Sequence, residues 1–311
     1  ASSDYMFATH NWWRINDLID GMMFKWMNQI NSNDYSFDTE IIIQLLISKF
    51  KISEVSIPTY YGEEISYVNG FYYAYRIIIE SLKANIQKYG ILYEKKYDLN
   101  KTETNYSFKN NFFSTHSLSL EMIKKNSVVL DIGCNQGKLS EYLVEKKQCK
   151  VYGIDETKNC NLIKISKYFS CDLNKGLPDL NFNELDYVVF LDVIEHLKNP
   201  EDFMKNLYDK LSENEKVEVL ISTPNISFFI IRFMLLLCFF NYGKRGILDK
   251  THTRLFTFKS FKKLIENSNF KIIYTKGIPV PFPLGVGNNI FGKFLININK
   301  FLIAIWKSFF S

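Results

Sequence analysis

From residue 118 to residue 222 the chain alternates strand-like apolar runs with amphipathic helical ones, and this alternation constrains the fold more than any other feature. Leu118 to Lys124 reads as a helix, Val128 to Ile132 as a strand, Lys138 to Lys146 as a helix and Lys150 to Ile154 as a strand. Leu185 to Leu191 then reads as a strand, Pro200 to Leu211 as a helix and Val217 to Ser222 as a strand. Strands and helices that trade places at this spacing imply an α/β fold, with a mostly parallel, doubly wound sheet covered on both faces.

Upstream the pattern is different. Asp38 to Lys49 reads as a helix, Ile52 to Ile57 as a short alternating strand closed by Pro58, and Tyr72 to Tyr89 as a second helix. Glu94 to Asn111 is polar text without a hydrophobic period, as in a linker. The expected organisation is a small α/β or helical N-terminal appendage over residues 1–92, a linker over 93–111 and the α/β domain over 112–311.

Composition narrows the partners. A net charge of +5 and 16% aromatic residues suit nucleic-acid stacking only weakly, because the lysines are spread along helix faces and no RNA-binding signature occurs. No nucleic-acid partner is expected. The five cysteines form neither a CxxC pair nor a zinc-type spacing, and the N-terminus lacks a basic region followed by an apolar one, so a reducing cytoplasmic setting is expected. Phe228 to Phe240 and Phe294 to Phe310 are apolar but fall short of the ~20 residues of a spanning helix, and each is interrupted by charge. Either they dock peripherally in a headgroup region or they pack together as a lid.

The chemistry concentrates in SVVLDIGCNQGKLS, residues 127–140. A buried run ends in Asp131, and a turn holding Gly133, Cys134, Asn135 and Gly137 leads into a helix; glycine there lets backbone approach a ligand at positive φ. The turn lies at the carboxyl end of the first strand, where open α/β sheets bind ligands. Asp155 ends the next strand, placed to accept ribose hydroxyls. Asp172 and Leu173 follow a further strand, and Asp192 ends YVVFLD. The spacing is GxNxG, which departs from the GxGxxG of a dinucleotide site.

These motifs resemble the class I S-adenosylmethionine (SAM)-dependent methyltransferases, in particular the ubiquinone-biosynthesis O-methyltransferase group. The resemblance implies a Rossmann-like domain with SAM as cofactor. Asp131, Gly133, Cys134, Asn135 and Gly137 would line its methionine part, Asp155 would hold the ribose, Asp172 and Leu173 would flank the adenine, and Asp192 would close the pocket. Asn135 stands where such proteins usually carry glycine; asparagine tolerates left-handed angles, so the turn is expected to survive.

A second cluster, DKTHTRLFT at residues 249–257, resembles a His-x-Arg-x-Phe-Thr run near the acceptor in the same group. It implies His252 and Arg254 as candidate catalytic residues, with His252 suited to take a proton from an acceptor hydroxyl; the bland alternative is that both order the loop. Asp192, Glu195 and His196 at i, i+3 and i+4 suit one helical face. They are read as pocket wall and helix-start charges, and no metal is expected.

Residues 31–70, with a Phe-Asp-Thr-Glu helix start, a Glu-Val-x-Ile-Pro strand and a Tyr-Tyr-Gly-Glu-Glu turn, resemble the tail of family 2 glycosyltransferases. Such tails occur fused ahead of methyltransferase domains in surface-glycan enzymes. The nucleotide-sugar half with its Asp-x-Asp motif is missing, so sugar transfer by this chain alone is not expected. The combined expectation is methylation of a glycan or lipid-linked saccharide, at a hydroxyl and close to the cytoplasmic membrane face. The alternative is a non-catalytic SAM-fold module or glycosyltransferase-associated scaffold.

Overall fold

The computed structural model describes residues 31–34, 36–50, 69–88, 93–99, 112–157, 165–280 and 290–311. The strand read over Ile52 to Ile57 lies outside the described residues. The chain divides into two units, residues 1–104 with 241–243, and residues 105–240 with 244–311.

In the first unit, α1 (Phe37–Ile47) and α2 (Gly70–Lys88) are followed by a short 3-10 turn at Lys95–Tyr97. The buried face of α1 carries Glu40 and Gln44 beside Ile41. Polar side chains are tolerated there because they satisfy one another. Lys96 Nζ lies 2.9 Å from Glu40 Oε1 and 2.5 Å from Glu80 Oε2, and the Tyr97 hydroxyl donates to Glu80 Oε2 at 2.8 Å. Burial pushes the Glu80 carboxyl up, but hydrogen bonds from Lys96, Lys83 and Tyr97 outweigh it and hold the pKa at about 2. That depressed value contributes stability above the ordinary 4.5, lost as pH falls toward 2. The polar text around residue 96 therefore folds into the first unit, with Tyr97 only 3% exposed. It shows no hydrophobic period because its contribution is ionic.

The second unit is the α/β domain. After α3 (Thr115–Met122) come β1 (Val128–Ile132), α4 (Lys138–Lys147), β2 (Lys150–Asp155) and β3 (Lys167–Ser170). They are followed by β4 (Tyr187–Leu191), α5 (Pro200–Leu211), β5 (Glu218–Ser222), α6 (Phe229–Leu236) and α7 (Phe258–Asn267), then α8 (Ile290–Ile305) and α9 (Lys307–Phe310). The strands form one parallel sheet in the order β3-β2-β1-β4-β5. The chain steps outward through β2 and β3, then returns to β4 on the other side of β1. The crevice between the carboxyl ends of β1 and β4 is thus the topological switch point.

Alternation along the strands separates two cores. Leu130, Ile132, Ile154, Val188 and Phe190 pack against Phe203, Met204 and Leu207 of α5 and Leu264 of α7. Val129, Val151 and Val189 face the opposite way, onto Leu139 and Leu143 of α4 and Leu120 of α3. Each large side chain buried in this way contributes roughly 1.5–3 kcal/mol. The helix α5 illustrates the local logic: Pro200 opens it, Glu201 and Asp202 lie in its positive first turn, and Phe203, Met204, Leu207 and Leu211 repeat on the buried stripe.

Several boundaries differ from the sequence reading. The helix α3 starts three residues early because Ser114 and Ser117 form a reciprocal capping box. Strand β4 starts at Tyr187, since Leu185 leaves a 3-10 turn at Phe182–Glu184 and the Asp186 carboxylate accepts the Val128 amide at 2.7 Å. The C-terminal apolar run is two helices, interrupted by non-helical backbone at Trp306 (φ −144°, ψ 83°).

Candidate active site

The turn after β1 is held by its own backbone. Gly133, Asn135 and Gly137 adopt φ of 73°, 47° and 67°. The Gly133 and Cys134 amides both donate to Ile154 O at the end of β2, at 2.7 and 3.1 Å, and the Gly137 amide donates to Cys134 O at 2.7 Å. Asn135 keeps the left-handed geometry, and its amide donates to Asp155 Oδ2 at 2.8 Å. A Cβ on Gly133 would lie 2.4 Å from Val193 Cγ2, so the loops after β1 and β4 meet at the switch point.

Asp131 sits beneath this turn, 4% exposed. Its Oδ2 accepts the Ser140 hydroxyl at 2.5 Å, which ties the first turn of α4 to β1. Burial raises its pKa to about 6, opposed by the Ser140 hydrogen bond and assisted by the nearby Asp155 charge. The raised value means that its contribution to stability is fully present below 3.8 and is lost as pH rises through about 6. Asp131→Asn keeps an acceptor for Ser140 and carries no charge. It is expected to raise the stability of the ligand-free protein at pH 8 by about 1–3 kcal/mol, with little change at pH 4, as measured by paired denaturant titrations.

The other strand-end carboxylates have distinct settings. Asp155 Oδ1 accepts from the Thr157 amide at 3.0 Å and hydroxyl at 2.5 Å, so with Asn135 its carboxylate organises both flanking loops. Asp172 Oδ1 accepts from the Asn174 amide and side chain, which lowers its pKa, and Asn174 Oδ1 in turn accepts the Lys198 amide. The turn after β3 is thereby linked to the loop after β4. Leu173, half-buried, packs onto the core. Asp192 has φ 56°, and its Oδ1 accepts the Ser222 hydroxyl at 2.7 Å from the end of β5.

The expected helical face of Asp192, Glu195 and His196 is corrected here. Residues 194–196 make a single 3-10 turn after the left-handed Asp192, and the next helix opens only at Pro200. Glu195 instead joins His196 and His252, with ligating atoms all within 4.8 Å of one another. Glu195 is 1% exposed; its Oε2 accepts from the Thr223 hydroxyl at 3.1 Å, while buried Oε1 has no hydrogen-bond partner among the described residues and lies 4.0 Å from His252 Nε2. Burial, reinforced by the Asp192 charge, raises the Glu195 pKa well above the carboxylate range. His252 Nδ1 donates to Ile247 O at 2.9 Å, which leaves Nε2 as the acceptor nitrogen, and burial lowers its pKa. The two side chains face one another across 4.0 Å, each with its pKa displaced toward the uncharged form.

Arg254 lies on the α5 side, where Nε donates to Lys198 O at 3.2 Å and a terminal nitrogen sits 3.6 Å from Glu201. The Thr253 and Arg254 amides both donate to Glu195 O, pinning this loop beneath the turn. The sequence reading missed Thr223 and Ser222, although their place at the end of β5, beside β4, was a usable signal.

The family model for a methyltransferase domain matches residues 109–275, more than half of the chain. The chain belongs to this methyltransferase-domain family. Among curated relatives, (S)-tetrahydroprotoberberine N-methyltransferase of Eschscholzia californica is 33% identical over 115 residues, covering 32% of this chain and 32% of the relative. The mitochondrial ubiquinone biosynthesis O-methyltransferase of Dictyostelium discoideum is 33% identical over 135 residues, covering 35% of this chain and 41% of the relative. The chain thus spans about a third to two fifths of the length of these relatives. A SAM dependent methyltransferase structure from Archaeoglobus fulgidus aligns with a TM-score of 0.36 at 20% identity, covering 50% of this chain and 66% of that one.

Proposed function

We propose that this methyltransferase-domain chain is a SAM-dependent enzyme that methylates a hydroxyl of a glycan or lipid-linked saccharide at the cytoplasmic membrane face. The observation that carries the cofactor reading is the three-residue positive-φ turn tied to Asp155 at the switch point. Those residues fit a nucleoside with an amino-acid tail. The Asp155 carboxylate accepts ribose hydroxyls, the left-handed Gly133 to Gly137 turn holds the tail, and Leu173 and Asp172 flank the base. The saccharide acceptor rests on the resemblance of residues 31–70 to a family 2 glycosyltransferase tail.

SAM supplies an electrophilic methyl group, so the protein's work is positioning and one proton. His252 is the candidate base. Its Nδ1–H is anchored on Ile247 O, its Nε2 faces Glu195 Oε1 at 4.0 Å, and its lowered pKa favours the neutral imidazole. Arg254 orders the loop through Lys198 and Glu201 and so positions His252. His252→Gln is expected to lower turnover about 100-fold while SAM affinity stays within a factor of two or so. Radiolabelled SAM with saccharide lipids and small quinones as acceptors tests the substrate: label in quinones but never in saccharide lipids would refute it.

A further inference from the structure

The C-terminal part of the second unit combines exposed apolar faces with a one-sided charge. On α8, Ile296, Asn299 and Ile303 are buried, whereas Phe294, Ile298, Phe301 and Ile305 form an exposed stripe at i, i+4, i+7 and i+11. Phe301 and Ile305 are each 67% exposed, and Trp306 follows at 53%. The stripe runs along about 16 Å of helix.

A second apolar surface adjoins it through α9. Asn225 Nδ2 donates to Ser308 O and Ser311 O, and the Phe229 ring of α6 stacks on Phe309. Beyond that contact α6 exposes Phe233 and Leu236, followed by Leu237 at its C-terminus, with Leu236 77% exposed. Large apolar side chains exposed on two helices that meet through α9 are the kind of surface that marks an interaction site.

Charge selects the occupant. Residues 219–311 hold thirteen Lys and Arg against two Asp and Glu, although the whole chain is only +5; the rest of the chain is net acidic. Of the two acids, Asp249 is buried and Glu266 is 3.5 Å from Lys262. A second copy docking face to face would bring like charges together, whereas anionic headgroups would complement them. No described helix is long and apolar enough to cross a membrane. An amphipathic helix of this composition suits the plane of the interface, with tryptophan and lysine at headgroup level.

We infer that α8 and α9, together with the exposed end of α6, form a docking surface for an anionic phospholipid bilayer. This deepens the membrane-face part of the proposed function and is independent of its chemistry. The α8 stripe enters the acyl boundary while Lys300, Lys307 and Arg232 meet the headgroups. The test is flotation of the full chain with phosphatidylcholine vesicles, with and without a minority of phosphatidylglycerol. The variant Phe301→Glu/Ile305→Glu is run alongside, its fold checked by SAM titration. Wild type is expected to float at least tenfold more with anionic vesicles, to release as salt rises, and to lose that binding in the variant. Equal binding to neutral vesicles, an unaffected variant, or concentration-dependent self-association without vesicle binding would overturn the inference. Loss of SAM binding by wild type would strike the methyltransferase reading instead.

Discussion

Asp155→Ala is expected to weaken SAM binding by one to two orders of magnitude. The carboxylate has two jobs that the substitution removes together. It tethers the Asn135 amide and the Thr157 amide and hydroxyl, and it is placed to accept the ribose hydroxyls. Hydrogen bonds to a charged group contribute about 1.5–3 kcal/mol, so losing even one net interaction corresponds to roughly 10- to 150-fold. Isothermal titration of wild type and variant measures it. Asp155→Asn separates the two jobs: it keeps an acceptor oxygen for one partner and carries no charge, so an intermediate loss is expected. Unchanged affinity in Asp155→Ala would move the ribose away from β2.

Gly133→Val is expected to have the largest structural effect, about 3–6 kcal/mol of lost stability. Left-handed backbone costs a non-glycine residue about 1–2 kcal/mol, more when it is β-branched, and overpacking adds about 1–3 kcal/mol. The overlap is with Val193, itself stiff at χ1, so relief requires the loops after β1 and β4 to part. Chemical denaturation checks the stability, and SAM titration of folded variant checks the pocket. The milder Gly133→Ala should lose less stability and still lose affinity, because its Cβ also lies 2.4 Å from Val193 Cγ2.

The central strands β1, β2 and β4 were legible from sequence because they are buried on both faces. Runs such as VVLDI and YVVFL have few alternative homes, and β1 occupies the residues expected of it. The left-handed turn was legible too, since glycine and asparagine are the residues that adopt such angles readily. What escaped was everything decided by tertiary pairing. Asp192, Glu195 and His196 have helical spacing, yet Pro200 and the left-handed Asp192 leave room for one 3-10 turn only. Glu195 then finds His252, 57 residues away, through a loop pinned by the amides of Thr253 and Arg254. Lys96 and Tyr97 were hidden for a similar reason: a buried ionic cluster leaves no periodic trace.

The claim that the switch-point crevice is a SAM site is tested most directly by calorimetric titration of S-adenosylhomocysteine and, separately, of NAD into the wild-type chain. The expected result is one site per chain with micromolar affinity for S-adenosylhomocysteine and no heat with NAD. Binding of NAD, or of neither ligand, would contradict the account.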